Sequence, residues 1–282
     1  MSKRHALSGW STNFLRGLQV DLQRAVLSTR FLLTVVLMLA WLLVNGATNI
    51  YIYNFLYAFG IAYTFDQAMT GGVGLGMIIL SIATVPFSTS YLTDRESGFG
   101  YHIIKRVGFG AYSFARVIAV GLSAFLAMVT AAGIFLVGLC LSGAPHAYPV
   151  DVYHLNGVYY ELTVTGQTWL YYLIRFIISG LTAAVAAVFA LFSSSLIPNT
   201  YVALLSPLVG YYAFENILLH IIYSMSNGQT IWLNAFSLAV ITAGQVSRNH
   251  FFSFLWASAY LLTLFALLSW GFICRLRREQ GL

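Results

Sequence analysis

The sequence predicts an all-α integral membrane protein with about six transmembrane helices, and two observations carry this prediction. Hydrophobic residues make up 59% of the 282-residue chain and charged residues only 8%, against roughly 25% charged residues in soluble domains. The apolar residues also gather into runs of about 20 residues, the length that a helix needs to cross a hydrocarbon core of about 30 Å. Lipid is therefore expected to surround much of the chain.

Six apolar runs are long enough to be spans, and we predict one transmembrane domain over residues 1–282. The third run is longer than a perpendicular crossing requires, which indicates a tilted helix or one that extends beyond the bilayer. The first run is followed by several others, so it is expected to be a retained helix and not a signal peptide. The predicted spans are residues 28–47, 71–92, 111–141, 169–196, 200–223 and 251–274.

The distribution of basic residues predicts that both termini lie in the cytoplasm. Twelve of the 14 lysines and arginines fall in the N-terminal segment, the segment between spans two and three or the C-terminal segment, with Arg30 and Arg116 just inside the starts of spans one and three, whereas Arg175 and Arg248 fall on the other side. Basic loops are retained in the cytoplasm, so the net charge of +6 is interpreted as an orientation signal and no nucleic-acid partner is expected. The twelve residues are Lys3, Arg4, Arg16, Arg24, Arg30, Arg95, Lys105, Arg106, Arg116, Arg275, Arg277 and Arg278.

Residues 10–26, which precede the first span, are predicted to form an amphipathic helix in the plane of the membrane interface. Basic residues lie beside an apolar stripe, a pattern that is typical of helices lying on a membrane. The alternative is a soluble helix packed on other helices, but the span that follows directly favours the interfacial position. The stripe repeats every four residues, at Trp10, Phe14, Leu18 and Leu22.

Three segments are predicted to lie on the outer side: 48–70, 142–168 and 225–250. Their sequence patterns predict secondary structure less clearly than the apolar runs do. The alternating aromatic residues of the first suit an interfacial or re-entrant stretch. The second is polar and suits a short hairpin around Val158–Val164. In the third, the apolar run Ile231–Ile241 is too short to cross the bilayer and is a candidate for a re-entrant turn.

The inner loop between the second and third spans carries the most specific motif of the chain. Its order of acidic, basic and acidic residues, then any residue, then glycine, resembles the signature of ABC-2 type transporter permeases, usually Glu-Arg-Glu-x-Gly followed by a short helix. Here Asp94 replaces the first Glu. The resemblance extends to the predicted layout of interfacial helix, six spans, both ends inside and an outer re-entrant segment. The motif and the basic pair after it are Asp94, Arg95, Glu96, Gly98, Lys105 and Arg106.

The resemblance implies that segment 94–106 is a cytoplasmic coupling helix that docks on a separate ATPase subunit. Gly98 allows a sharp turn out of the membrane, and the acidic residues before it favour the start of a following helix, whose end suits Lys105 and Arg106. Such an element would turn motion of the ATPase into motion of a span. The alternative is that the basic residues of the loop only anchor it at lipid headgroups.

The resemblance also implies partners, cofactors and a location. The chain has no G-x-x-x-x-G-K-[ST] loop, since neither Lys3 nor Lys105 has that environment, so ATP and Mg are expected on the partner ATPase. A second permease copy or paralogue would complete the pathway. The expected location is the cytoplasmic (inner) membrane of a bacterium. Relatives are mostly exporters, and the aromatic outer segments favour an amphipathic or hydrophobic cargo such as a drug, peptide or lipid.

Ionisable residues within spans are functional candidates, and two of them are predicted to meet. Arg175 lies near the outer end of span four and Glu215 lies in span five. The two spans are joined by a tight turn and the residues lie at similar heights, so one hypothesis is that they form a buried ion pair. The alternative is that Arg175 reaches the headgroups while Glu215 faces water. Asn216 and His220 share a helix face and could extend a polar strip beside that pair.

Two other classes of protein stay open as alternatives. A stand-alone carrier or channel would need a polar pathway along several helices, yet the centres of spans one, three and six have almost no ionisable residues. A membrane-embedded hydrolase would need a nucleophile and base or an H-E-x-x-H pair, and the sequence has no such motif. We therefore expect no catalytic residue and no metal site on this chain, and no enzymatic activity of its own.

Overall fold

In the computed structural model, the chain is all-helical over the residues that are described, and no β-strand forms among them, as the sequence predicted. These residues are 2–53, 60–70, 72–146, 159, 161–224, 235–243, 246–247 and 249–279. Their helices are α1 (Ser2–Val26), α2 (Thr29–Tyr53), α3 (Ile61–Thr70), α4 (Gly72–Thr84), α5 (Ser90–Glu96), α6 (Phe99–Val107), α7 (Phe109–Cys140), α8 (Glu161–Val164), α9 (Thr168–Leu196), α10 (Thr200–Ser224), α11 (Leu238–Ala243) and α12 (His250–Glu279).

Four helices in the described part of the chain are long and apolar enough to cross a membrane. They lie in α2, α7, α9 and α12 and coincide with the predicted first, third, fourth and sixth spans. Their outward faces carry many exposed leucine, valine and phenylalanine side chains, which lipid would cover. The full count of six spans and their orientation stay predictions.

The predicted second span, residues 71–92, is not one continuous helix. α4 ends at Thr84 and α5 begins at Ser90, with Pro86 in the turn between them. Proline lacks a backbone N–H and its ring clashes with the preceding turn of a helix. The Ser90 N–H instead donates to the Phe87 carbonyl at 3.0 Å, which closes the turn. The sequence predicts a kink at Pro86, and the structure has a complete break at this turn instead.

The predicted fifth span does form one helix, α10, which includes Pro207. It begins after a tight turn at residues 197–199, where the Asn199 side-chain oxygen accepts a hydrogen bond from the Tyr201 N–H at 2.9 Å. The Asn199 side chain therefore caps the start of α10, and the short turn places α10 beside α9, as predicted. The helix carries Glu215 and Asn216 in its C-terminal half and is not among the four helices that are long and apolar enough to cross a membrane.

The core is built around α7 and α9, which pack along each other, while α12 also packs along α9. Small residues on α7 permit this close approach; Ala119, Ala124 and Ala127 are fully buried. On α9, a Cβ added to Gly180 would lie 2.5 Å from ring carbons of Phe125. Glycine is therefore required at this crossing because a side chain would displace the phenylalanine ring.

The helix predicted over residues 10–26 is present and begins earlier, at Ser2, and it packs along the N-terminal half of α7. Leu18 and Leu22 are half-buried against the core, whereas Leu15 is 61% exposed. The side chain of Trp10 lies outside the described residues. The helix is thus packed on its neighbours and also presents apolar surface outward; its position in a membrane interface stays a prediction.

Candidate functional site

The segment predicted to be a coupling element is a helix–turn–helix that projects between α4 and α7. α5 ends at Glu96, and Gly98 then takes a positive φ of +69° before α6 begins at Phe99. A second glycine, Gly108, has φ +91° and leads into α7. The left-handed conformation at Gly98 is one that residues with a Cβ avoid, so it supplies the sharp turn that the sequence predicted.

The two faces of this segment differ in exposure. Ile103 and Ile104 of α6 are half-buried and pack toward the core, so the short helix is amphipathic. The opposite face presents both charges of the basic pair together with the turn that precedes the helix. The exposed residues among those predicted to contact a partner are Arg95, Glu96, Gly98, Lys105 and Arg106.

Asp94 differs from the other motif residues because it is buried. Its exposed fraction is 3%, and its carboxylate is ion paired with the guanidinium of Arg116 on α7. The Tyr112 hydroxyl lies 3.4 Å from the same carboxylate and 3.3 Å from an Arg116 nitrogen. Asp94 therefore faces the protein interior and anchors segment 94–106 to α7, while its predicted part in ATPase coupling stays a prediction.

The Asp94 anchor belongs to a larger charge cluster, which we call the inner cluster: Asp21, Asp94, Tyr112 and Arg116. Arg116 is fully buried, and its Nε lies 3.5 Å from the Asp21 carboxylate of α1. The Phe87 ring also covers the guanidinium, at 5.1 Å from its centroid, a distance at which a cation and an aromatic face attract. One arginine thus ties together α1, α5, α7 and the turn before α5.

Burial and the neighbouring charges have opposite effects on the pKa of the Asp21 carboxyl. Burial raises the pKa of the Asp21 carboxyl above its ordinary value, and the nearby Asp94 adds to that rise, while the guanidinium of Arg116 lowers it again. Two carboxylates share one guanidinium in this interior, so the cluster depends on Arg116. Removing one partner of a buried pair costs about 3–5 kcal/mol, since the remaining charge is left in an apolar environment.

The last turn of α12 also contacts α5. The Tyr91 hydroxyl donates to the Glu279 carboxylate at 2.6 Å, and Arg95 lies 3.6 Å from the same carboxylate. Beside them, the Tyr91 ring meets the Phe272 ring edge-on, with centroids 5.5 Å apart. Segment 94–106 is therefore attached to both α7 and α12, two of the four long apolar helices.

The outer residues have different partners from those predicted. Arg175 is ion paired with Asp66 of α3, and both side chains are buried. α3 is held there because the Tyr171 hydroxyl donates to the Ala62 carbonyl at 3.1 Å. The predicted Arg175–Glu215 pair is corrected for this reason: α3 folds back against the outer end of α9 and brings a closer carboxylate.

Glu215 instead accepts a hydrogen bond from the Ser237 hydroxyl at 2.9 Å, close to the start of α11. The predicted polar strip does not form around it, because Asn216 and His220 lie on the exposed side of α10. The Asn216 amide donates to the Tyr212 carbonyl of its own helix at 2.7 Å. Glu215 is therefore a buried carboxylate that lies apart from the Arg175–Asp66 ion pair and bonds Ser237 instead.

Two outer segments are described in part. Residues 161–164 form the one-turn helix α8, which replaces the second strand of the hairpin predicted around Val158–Val164. The apolar run Ile231–Ile241 is described only from residue 235, and α11 begins at Leu238. Most of segment 142–168 and the first part of segment 225–250 lie outside the described residues.

Sequence reasoning missed the residues that hold the coupling segment in place. Arg116 was used only as an orientation signal, although it lies inside the predicted span 111–141, where an ionisable residue is a functional candidate. Asp21 follows Leu18 by three positions and so shares the apolar face of α1, a second signal. No local pattern marked Asp66 or Glu279, because their partners are distant in sequence.

The chain matched no protein-family model, and it matched no curated protein and no solved structure. Its functional interpretation therefore rests on the residues and their geometry.

Proposed function

We propose that this chain is the membrane-spanning permease subunit of an ABC transporter, driven by a separate cytoplasmic ATPase subunit. The single observation that carries the proposal is the geometry of segment 94–106. A helix–turn–helix with the motif of ABC-2 permeases exposes Glu96, Lys105 and Arg106 on one side and is anchored through Asp94 on the other. A docking element that transmits force needs both properties.

The anchors explain how such an element would move the spans. Force applied to α6 passes through α5 to Arg116, and from there to α7 and α1. It also passes through Arg95 and Tyr91 to Glu279 at the end of α12. A loop that only touched lipid headgroups would have no need of a buried ion pair at its root, since the exposed basic residues would suffice.

The rest of the proposal follows from the permease assignment. Six spans with both termini inside would place segment 94–106 in the cytoplasm of a bacterial cell, and the chain would reside in its inner membrane. ATP and Mg would bind to the partner, so this chain would have no catalytic residue. A second copy or paralogue would complete the pathway, and an exporter of an amphipathic or hydrophobic cargo fits the apolar helices best.

A charge reversal on the exposed face tests the proposal. Glu96→Lys should reduce the amount of ATPase subunit that co-purifies with the chain, while the matched variant Glu161→Lys, on the opposite side of the predicted membrane, should leave it unchanged. Both residues are exposed and begin or end a helix, so insertion should be equal. Equal ATPase recovery with the two variants and the wild type would count against docking at Glu96.

A further inference from the structure

We infer that a polar pocket between α5, α6, α7 and α12 binds the phosphoethanolamine headgroup of a membrane phospholipid. Two observations carry the inference: acidic and basic groups line the same pocket, and one carboxylate in its wall has an oxygen to which no described group donates. The inference goes beyond the proposed function and does not rest on it. The exposed charges of the proposed ATPase contact, Glu96, Lys105 and Arg106, are not among the residues that line this pocket.

The pocket has a volume of about 350 Å³, within the range of roughly 300–1,000 Å³ that is typical of ligand sites. Tyr112 in the first turn of α7 lines it, together with Leu276 and Glu279 near the end of α12. Both helices are long and apolar enough to cross a membrane, and phospholipid headgroups lie where such helices leave the hydrocarbon core. The pocket is therefore placed at the depth of a headgroup.

The Asp94 carboxylate supplies one acceptor for an ammonium group. Asp94 lines the pocket although its exposed fraction is only 3%. Its Oδ2 atom takes both the Arg116 guanidinium and the Tyr112 hydroxyl. No group in the described part of the chain donates a hydrogen bond to Oδ1, and this oxygen is not sealed inside the protein. Oδ1 therefore has the capacity to accept from an N–H donor inside the pocket.

Glu279 supplies a second acceptor from the opposite element. Its Oε2 atom accepts from the Tyr91 hydroxyl at 2.6 Å, and its Oε1 atom lies 3.6 and 3.7 Å from nitrogens of Arg95 and Arg275. The last two contacts are longer than ordinary hydrogen bonds, and a carboxylate has about four acceptor positions. Acceptors thus come from both α5 and α12, which suits the three N–H donors of a primary ammonium group.

Groups that bind phosphate line the same pocket. The Arg95 side chain is half-exposed and contacts only one oxygen of Glu279, so its guanidinium retains donors for a phosphate. Gly98 and Gly100 also line the pocket, at the start of α6. The first N–H groups of a helix have no acceptor within the helix and attract phosphate. Neither glycine has a side chain that would keep a phosphate away from them.

This mixture of charges favours a zwitterionic headgroup. A basic side chain of a partner protein would meet the carboxylates but leave Arg95 and the start of α6 without an anion, and an anionic lipid would leave the carboxylates without a cation. Phosphocholine has both charges, but its trimethylammonium group has no N–H to donate. Trimethylammonium groups are recognised by aromatic faces, and the Arg116 guanidinium already covers one face of Tyr112, at 5.2 Å from the ring centroid. Phosphoethanolamine fits both sets of groups.

Lipid retention by the full chain, without an ATPase, tests the inference. The chain is released from nanodiscs that contain phosphatidylethanolamine and phosphatidylcholine in equal amounts and with the same acyl chains, and bound lipid is identified by native mass spectrometry. We expect a preference of about tenfold for phosphatidylethanolamine, because only its ammonium group donates hydrogen bonds to carboxylates. Glu279→Gln keeps an acceptor for Tyr91 but removes the charge, and should abolish most of the preference. Glu161→Gln, an exposed carboxylate outside the pocket, is the matched control and should keep it.

A second variant keeps the test decisive if Glu279→Gln fails to assemble. A Cβ at Gly100 would lie between 3.5 and 3.7 Å from atoms of Asp94 and Tyr112, which is ordinary contact, so Gly100→Leu adds a side chain among the lining residues and should abolish the preference. Gly133→Leu, where a Cβ meets open space, should not. Equal retention of the two lipids by the wild type, or an unchanged preference in Gly100→Leu, would overturn the inference and leave the pocket to water or to a basic side chain of a partner.

Free O-phosphoethanolamine distinguishes a lipid from a soluble ligand with the same chemistry. We expect it to leave the retained phosphatidylethanolamine in place, because it lacks the acyl chains that hold the lipid against the apolar helices. Complete displacement would assign the pocket to a soluble phosphate ester and overturn the lipid assignment. None of these results bears on ATPase docking, and loss of docking with an intact lipid preference would leave the inference standing.

Discussion

The Asp94 carboxylate and the Arg116 guanidinium form a buried ion pair that joins segment 94–106 to the N-terminal part of α7. Asp94 is the residue at which the motif departs from the usual Glu of ABC-2 permeases. Its side chain points inward to Arg116, while the next two residues, Arg95 and Glu96, are exposed. The segment therefore has a buried anchoring acid and an exposed charged surface.

Loss of Arg116 should destabilise the chain more than loss of any exposed arginine. Arg116→Leu leaves the Asp21 and Asp94 carboxylates together in an apolar environment, and should cost about 3–5 kcal/mol. Arg106→Leu, at an exposed position, is the matched control and should cost less than about 1 kcal/mol. Thermal inactivation of the two variants in detergent gives the comparison. Equal losses would remove the structural role given to the inner cluster.

The outer ion pair should show coupling in a double-mutant cycle. Asp66→Ala and Arg175→Ala should each be strongly destabilising, by about 3–5 kcal/mol, whereas the double variant should cost clearly less than the sum of the two. The matched cycle with Arg175→Ala and Glu215→Ala should be close to additive, because these residues have different partners. Coupling in the second cycle and additivity in the first would restore the pair that the sequence suggested.

The turn at Gly98 should not tolerate a β-branched side chain. Gly98→Val forces a residue with a Cβ to keep φ near +69° or to change the angle between α5 and α6; the first option costs about 1–2 kcal/mol. Gly133→Val is the control, since a Cβ there would meet open space in a regular helix. We expect normal membrane insertion of both variants and reduced ATPase recovery only for Gly98→Val. Wild-type recovery with Gly98→Val would show that the turn angle does not matter.

The predicted orientation can be checked by cysteine labelling in intact cells. With Cys140 and Cys274 replaced, a cysteine at Glu161 should react with an impermeant maleimide, and a cysteine at Lys105 should react only after the membrane is permeabilised. Both positions are exposed, so access to the reagent depends on the side of the membrane. The reverse pattern would place segment 94–106 outside and rule out contact with a cytoplasmic ATPase.

The sequence predicted the helical elements well because they follow from local composition. Apolar runs located α2, α7, α9 and α12 within a few residues, and the glycine of the motif located the sharp turn. The break of the second span could also be expected, since Pro86 stands inside it, but periodicity alone does not say whether a proline bends or interrupts a helix.

The partners of the charged residues could not be predicted, because they depend on tertiary packing. Asp66 lies 109 positions before Arg175 in the chain, and its contact exists because α3 folds against α9. Glu279 reaches Tyr91 across an even longer separation. Glu215 was predicted to pair with Arg175 because their two helices are adjacent in sequence. That argument does not consider helices from other parts of the chain, such as α3, which brings Asp66 to Arg175.

The most direct test of the account is a photocrosslink from the exposed face of the coupling segment. A photoreactive residue at Glu96, introduced in the native host, should crosslink to a polypeptide that contains a G-x-x-x-x-G-K-[ST] loop and hydrolyses ATP. The same residue at Glu161 should not capture that polypeptide. If the probe at Glu96 captures only lipid while the chain is intact in the membrane, segment 94–106 is a headgroup anchor and the permease proposal is contradicted.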